Sequence, residues 1–233
     1  VSAARAPAAP AFVVIGGGAS GLFYLRQLRR ARAAARLSVG RVIVVDRDAA
    51  CAAAAEQDGL VSLAAADWSA WLSANLDGLD PADQLVPYHW APHLLVEWLA
   101  ARAARAGARV RRVPHVPPQG TPFDRATAAG DRALSYATWT CPPTCIEPAL
   151  CPHTRGAKDW SLAALLERPP AGEESIVFRC LHLAFGVGTV PVGAVQEAGR
   201  RLVRGLAHGP RRYLVATASH CHALASVLDV APA

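Results

Sequence analysis

The sequence predicts an α/β protein: a mostly parallel sheet with helices on both faces, interrupted by a cysteine- and proline-rich irregular insertion. Three observations predict it. An apolar strand pattern, Phe12-Val-Val-Ile15, runs straight into Gly16-Gly-Gly-Ala-Ser-Gly21 and a helical repeat. A second apolar run, Val42-Ile-Val-Val45, ends on Asp46. Beyond it, short apolar runs and amphipathic stretches alternate, lose their period at Pro114 and regain it near residue 173.

The elements follow in order. After the first strand, Leu22, Leu25 and Leu28 recur at helical spacing beside Arg26, Arg29, Arg30 and Arg32, which form the solvated face. The strand closing on Asp46 comes next, then a short alanine-rich helix over 49–56. Leu60-Val-Ser-Leu63 reads as a third strand ending near Asp67, and Trp68 to Leu76 as an amphipathic helix. Leu85-Val86 is a short strand. Pro92 stands at a helix start, and that helix runs through Leu94, Val96, Trp98 and Leu99 to Gly107. Arg109 to Val113 is the next strand. Residues 114–172 are too long for a plain loop unless something organises them. The sheet pattern then returns with Ser175 to Leu183, a helix from Val192 to Leu206, the strand Tyr213-Leu-Val-Ala216 and a last short helix from His222 to Leu228. Three parts result: 1–113, the insertion 114–172, and 173–233, which completes the sheet.

The glycines carry the chemistry. Gly16 lets the chain turn off the strand, Gly18 removes a Cβ where a pyrophosphate must approach, and Gly21 lets the helix pack closely on the sheet. Gly17 and Ser20 complete the turn, whose helix N-terminus offers N–H groups and partial positive charge to phosphates. Asp46 suits ribose hydroxyls, which favours NAD or FAD, while Arg47 could receive a 2′-phosphate. Asp67, at the end of the third strand, either contacts the adenine side or caps the following helix. The plainer alternative is a tight strand-to-helix turn with no ligand. Through Val14-Ile-Gly-Gly-Gly-Ala-Ser-Gly-Leu22 and Val44-Val-Asp-Arg47, the N-terminal fifth resembles the FAD/NAD(P)-binding Rossmann superfamily, which implies a Rossmann-like dinucleotide-binding unit. Asp131-Arg-Ala-Leu-Ser-Tyr136 and Tyr213-Leu-Val-Ala-Thr-Ala218 look like degenerate strand motifs of flavin-dependent reductases, with alanine where that family has glycine in the second.

Composition narrows the class. A chain of 233 residues buries a full core, yet it is short for a flavoenzyme with two dinucleotide folds. The net charge of +6 comes from arginines scattered among alanines, with Lys158 the only lysine, and does not mark a nucleic-acid surface. No run is long and apolar enough for a membrane, and no secretory leader is recognisable, so a cytoplasmic location is expected. In that compartment six cysteines read as metal ligands or redox groups rather than disulfides.

Cys141-Pro-Pro-Thr-Cys145-Ile-Glu-Pro-Ala-Leu-Cys151-Pro-His153 gathers three thiols and an imidazole, a ligand set for a metal. The spacing matches neither a zinc knuckle nor an iron–sulfur loop in full. Zinc is favoured over iron–sulfur because His153 can complete a four-ligand set, with Cys221 able to supply a ligand that is missing, and reduced structural cysteines are the alternative. Ser219-His220-Cys221-His222 lies at the carboxyl end of a strand. There Cys221, placed at a helix N-terminus, is expected to ionise more readily and to serve as metal ligand or redox thiol, with His220 and His222 as further catalytic candidates. His89, four residues before His93, is another candidate, although a surface role suits this pair better. Cys180 and His182 share one face of a strand as core or lining residues.

The resulting expectation is an oxidoreductase, NAD- or FAD-dependent, with a Cys/His metal centre, acting on a small molecule or redox partner without nucleic acid or membrane. The alternatives are a non-enzymatic nucleotide- and metal-responsive sensor or assembly factor, and a methyltransferase using S-adenosylmethionine. No hydrolase elbow, Walker loop or HExxH helix is present.

Overall fold

The computed structural model describes residues 9–87, 93–114, 116, 117, 119–169 and 171–233. In chain order the elements are β1 (Ala11–Ile15), α1 (Ala19–Ala33), β2 (Arg41–Asp46), β3 (Val61–Ala65), α2 (Trp68–Asn75), β4 (Gln84–Val86), α3 (Leu94–Arg105), β5 (Ala108–Val113), β6 (Phe123–Ala126) and β7 (Arg132–Ser135). They continue with α4 (Leu162–Leu166), β8 (Glu173–Arg179), β9 (Leu181–Ala184), β10 (Val187–Pro191), α5 (Val192–Gly205), β11 (Arg211–Ala218) and β12 (His222–Pro232).

The fold is mixed α/β with two mixed sheets. The first has the order β3-β2-β1-β4-β10-β9; its first four strands are parallel, and β10 and β9 add antiparallel pairs. The second runs β6-β7-β12-β11-β8, with β5 also on β12, and only β8 and β11 pair in parallel.

Three apolar clusters set the layers. Phe12, Val14, Val42 and Val44 pack against Leu25 and Leu28 of α1. The alternate residues Val13, Ile15 and Val45 face Leu72, Leu95, Trp98, Leu99, Val195 and Leu202 of α2, α3 and α5. That same cluster reaches Ile176, Phe178, Tyr213, Val215 and Leu228 of the second sheet. On the far side, Leu214, Ala216 and Val227 are covered by Leu162 and Leu166 of α4. The order is therefore α1, first sheet, three helices, second sheet, α4. Close packing of α3 on α5 depends on Gly199, where a Cβ would lie 2.7 Å from the Trp98 ring. No helix among the described residues is long and apolar enough to cross a membrane.

Five sequence expectations are corrected. Residues 173–233 do not complete one sheet: β8, β11 and β12 build the second, largely antiparallel sheet, and β9 and β10 extend the first. The expected strand from Ser175 to Leu183 breaks at Cys180, where the chain crosses between sheets. The last helix, His222 to Leu228, is the start of β12, because hydrogen bonding on both edges outweighs the helix propensity of its alanines and leucines. The alanine-rich stretch after Asp46 holds only a 3₁₀ turn at Ala54–Glu56. Within 114–172 the irregularity is broken by β6, β7 and α4.

Trp98 is 2% exposed in the cluster that joins the sheets. Trp98→Ala should cost about 3–5 kcal/mol in urea unfolding, with fluorescence and circular dichroism still reporting one coincident transition.

Candidate functional site

The glycine turn lies at the carboxyl edge of the first sheet, where the strand order reverses. From β1 the chain steps outward to β2 and β3, then crosses back to β4 on the other side of β1. In open α/β sheets such a switch point leaves a crevice for ligands. Gly16 adopts φ +90°, a conformation that suits glycine, and its N–H is bonded to Val45 O. A Cβ on Gly21 would lie 1.8 Å from Gly16 O, so the helix can sit this close to the strand only with glycine there. At Gly18 a Cβ would meet nothing within 4 Å. Gly18, Ala19 and Ser20 are exposed, and no side chain caps α1. Its first N–H groups therefore face open space with the positive end of the helix dipole behind them.

The acid after β2 is fastened to this turn. Asp46 Oδ2 accepts from Gly17 N at 2.6 Å and Oδ1 from Asp48 N at 2.9 Å, leaving lone pairs on both oxygens. Gly17 is pressed against Cys51, whose Sγ would lie 2.3 Å from a Cβ there, and Gly17 O accepts from Ala53 N. Of the two readings of Asp67, the structure shows the cap: it accepts from Ala70 N. The same carboxylate pairs with Arg47 at 2.7 Å, so a 2′-phosphate would have to displace it.

The cysteine–histidine residues gather at the same edge of the fold. The register of β10 on β4 carries the Phe185-Gly186 turn past the carboxyl end of β4, and Pro143 O and Thr144 lie against Gly186. Arg30 of α1 stacks over Phe185, 4.4 Å from the ring centre. From the second sheet, the tip of the β11–β12 hairpin arrives as Ser219-His220-Cys221. Glu147 joins the two: its Oε1 accepts from Ser219 Oγ (2.7 Å) and Cys221 N (3.1 Å), and its Oε2 from His220 N (2.9 Å). Burial pushes Glu147 up, but the Ser219 hydroxyl, the His182 charge and the two N–H groups outweigh it and hold the carboxyl below its usual range.

The expected ionised Cys221 is corrected here. It stands in a strand-to-strand turn, without a helix dipole, and its thiol is pushed up to about 11 by burial, the neighbouring Glu147 adding to the shift; its Sγ accepts from Trp160 Nε1. Cys180 is pushed up to about 12 by burial and again by Glu147. Tyr24 of α1 faces Cys180, its phenol raised by burial and by that thiol. His222 Nδ1 meets Ser135 Oγ at 3.0 Å and is lowered by burial, and His220 Nδ1 meets Trp160 O at 3.2 Å. His182 Nδ1 meets Cys145 O at 2.8 Å.

Of the expected ligands, Cys141, Cys145 and Cys151 are near enough for the last two to raise the first, after burial. Cys145 Sγ accepts from Glu147 N, while Cys151 is lowered chiefly by the Thr154 N–H. His153 instead lies flat on Trp139, ring centres 4.6 Å apart. Among the described residues no three His, Cys, Asp or Glu side chains converge as a metal requires, so the set with His153 and Cys221 is not assembled. His89 lies outside the described residues.

Sequence reasoning missed a buried chain of polar groups beside this edge. His93, at the start of α3 and 3% exposed, meets Ser226 Oγ through Nδ1 and Thr217 Oγ1 through Nε2, both at 2.9 Å. Ser226 donates to Asp131, which pairs with Arg112. Nothing in the spacing of these residues announces the network; Glu147, by contrast, stands openly between the cysteines. A groove of about 930 Å³, lined by Arg109, Arg111, Glu174, Arg211, Arg212 and Asp229, lies at the opposite end of the second sheet.

Compared with known proteins, residues 93–231 match the sequence model of the AF_1314_C family, described as "Uncharacterized protein, C-terminal domain". No curated protein and no solved structure matches.

Burial, then the charge of Arg112, lowers His93 to about 3. The unfolded chain binds this proton more readily, so stability is full above about pH 6.5 and falls as pH drops toward 3, by up to about 1.4 kcal/mol per unit. His93→Gln should flatten this slope in denaturation measured from pH 7 to 4.

Proposed function

We propose that this chain, which belongs to the AF_1314_C family, binds the ADP portion of a dinucleotide at the carboxyl edge of its first sheet and is an NAD- or FAD-dependent oxidoreductase. The observation that carries the reading is the uncapped, exposed N-terminus of α1, at the β1/β4 switch point and beside the acid of β2. The parallel order β3-β2-β1-β4 supports a Rossmann-like N-terminal half.

In this reading the N–H groups of Gly18, Ala19 and Ser20 hold the pyrophosphate, Gly16 and Gly21 shape the turn, and Gly17 fixes the carboxylate of Asp46. The free lone pairs of Asp46 take the ribose hydroxyls. Arg47, already paired with Asp67, favours an unphosphorylated ribose. The bound dinucleotide supplies hydride or electron transfer. Cys180 and Cys221 keep their protons at neutral pH and are poor nucleophiles, so the thiols serve as surroundings rather than as covalent partners.

Calorimetric titration with FAD, NAD and ADP-ribose tests the reading. One-to-one binding by at least one is expected. Gly18→Val should weaken it tenfold or more with the melting temperature unchanged, since the new side chain meets only open space until a ligand arrives. Gly21→Ala should instead lower stability by about 1–3 kcal/mol through its clash with Gly16 O. Absence of binding, a Gly18→Val protein that binds as the wild type does, or binding of S-adenosylmethionine alone overturns the assignment.

A further inference from the structure

Residues 141–151 cross between the two sheets without being built into either. Ile146 and Leu150 are 50% and 62% exposed, and most of their neighbours are exposed as well. The inward residues are Cys141, Cys145, Glu147 and Cys151. No residue from 137 to 161 belongs to any of the three apolar clusters. The regular pairing is limited to one isolated bridge, Leu150 with Ala157. Apart from Cys151 and the packing of Pro143 and Thr144 on Gly186, polar contacts hold this segment.

The densest of those contacts is at Glu147. Its carboxylate takes the Ser219 hydroxyl and two successive N–H groups at the hairpin tip. Such bonds to a charged acceptor are among the stronger ones in proteins. The residue reaches them at φ +51°, a left-handed conformation that a glutamate rarely adopts and that the rest of the fold must hold in place. Cys221, 9% exposed, donates its N–H to this contact, and its Sγ accepts from Trp160 Nε1.

We propose that residues 141–151 form a detachable strap, latched by Glu147 to the β11–β12 hairpin tip, which controls access to the Cys221 thiol. With the latch closed, Cys221 is covered and has a carboxylate beside it. With the latch open, the carboxylate departs and the thiol is opened to solvent on that side, the Trp160 indole staying on the other, while both sheets stay folded. The latch itself involves neither the glycine turn nor Asp46; the control thiol, Cys51, lies against Gly17, so the labelling is run without added nucleotide.

Timed labelling of the full chain with N-ethylmaleimide, mapped by peptide mass spectrometry, tests it. Cys51 is the internal control: it is buried against Gly17, in the cluster on the α1 side of the first sheet. In the wild type, Cys221 should react at least tenfold faster than Cys51, because opening a strap requires less than opening a core. In Glu147→Ala, labelling of Cys221 should accelerate a further tenfold or more with that of Cys51 unchanged. Equal wild-type rates, no acceleration at Cys221, or parallel acceleration at both cysteines overturns the proposal. If Glu147→Ala fails to fold, the strap is integral to the fold and the proposal also falls.

Discussion

The double pairing of β12 is the constraint on which the remainder rests. One edge of this eleven-residue strand is bonded to β11 from Arg211 to Ala218, and the other is shared by β7 at its start and β5 at its end. The register leaves no freedom in where the hairpin tip falls. A slip of one residue would turn Leu224, Ser226 and Leu228 to the opposite face and strip both apolar clusters that border the second sheet. With the register fixed, Ser219, His220 and Cys221 must project beyond the end of β8, beside the crossing into β9.

Everything distinctive at the carboxyl edge follows from that placement. Ser226 lands opposite His93, so the start of α3 is tied to the middle of the second sheet through a neutral imidazole. The tip presents the His220 N–H, which Glu147 accepts, and the Cys221 N–H, which Glu147 shares with the Ser219 hydroxyl of the hairpin itself. On the other side, α1 projects from the glycine turn across β9 and β10, and Arg30 meets Phe185. α1 and the cysteine segment thus both pack on the β9–β10 hairpin, the one at Phe185 and the other at Gly186 and His182.

The sequence was legible where local chemistry decides the outcome. Val13 and Val45 alternate with Val14 and Val44 between two apolar clusters, so β1 and β2, unlike the unforeseen β10, could be read from their own residues. The same holds for the glycine turn, whose close approach at Gly21 needs no distant partner to be foreseen. Legibility failed where a distant partner decides. Ala223-Leu-Ala-Ser-Val-Leu228 has the composition of a helix and becomes a strand because β7 and β5 lie far upstream. That one misreading reversed the expected state of Cys221, since a helix dipole would lower its thiol whereas a buried hairpin beside a carboxylate raises it. The crossing at Cys180 was hidden for a related reason: Ser175 to Leu183 is uniformly strand-like, and nothing local says that its two halves serve different sheets.

That crossing also bears on how the chain is made. The path visits the first sheet, then the second, then returns to the first with β9 and β10 before finishing on the second. During synthesis, therefore, β4 emerges with a bare hydrogen-bonding edge, and the strand that covers it follows roughly a hundred residues later, about 5–20 s at ordinary elongation rates. An unpaired edge of this kind invites strands from other nascent chains. The brevity of β4, three residues long, limits how much of such an edge is offered while the ribosome completes the remainder.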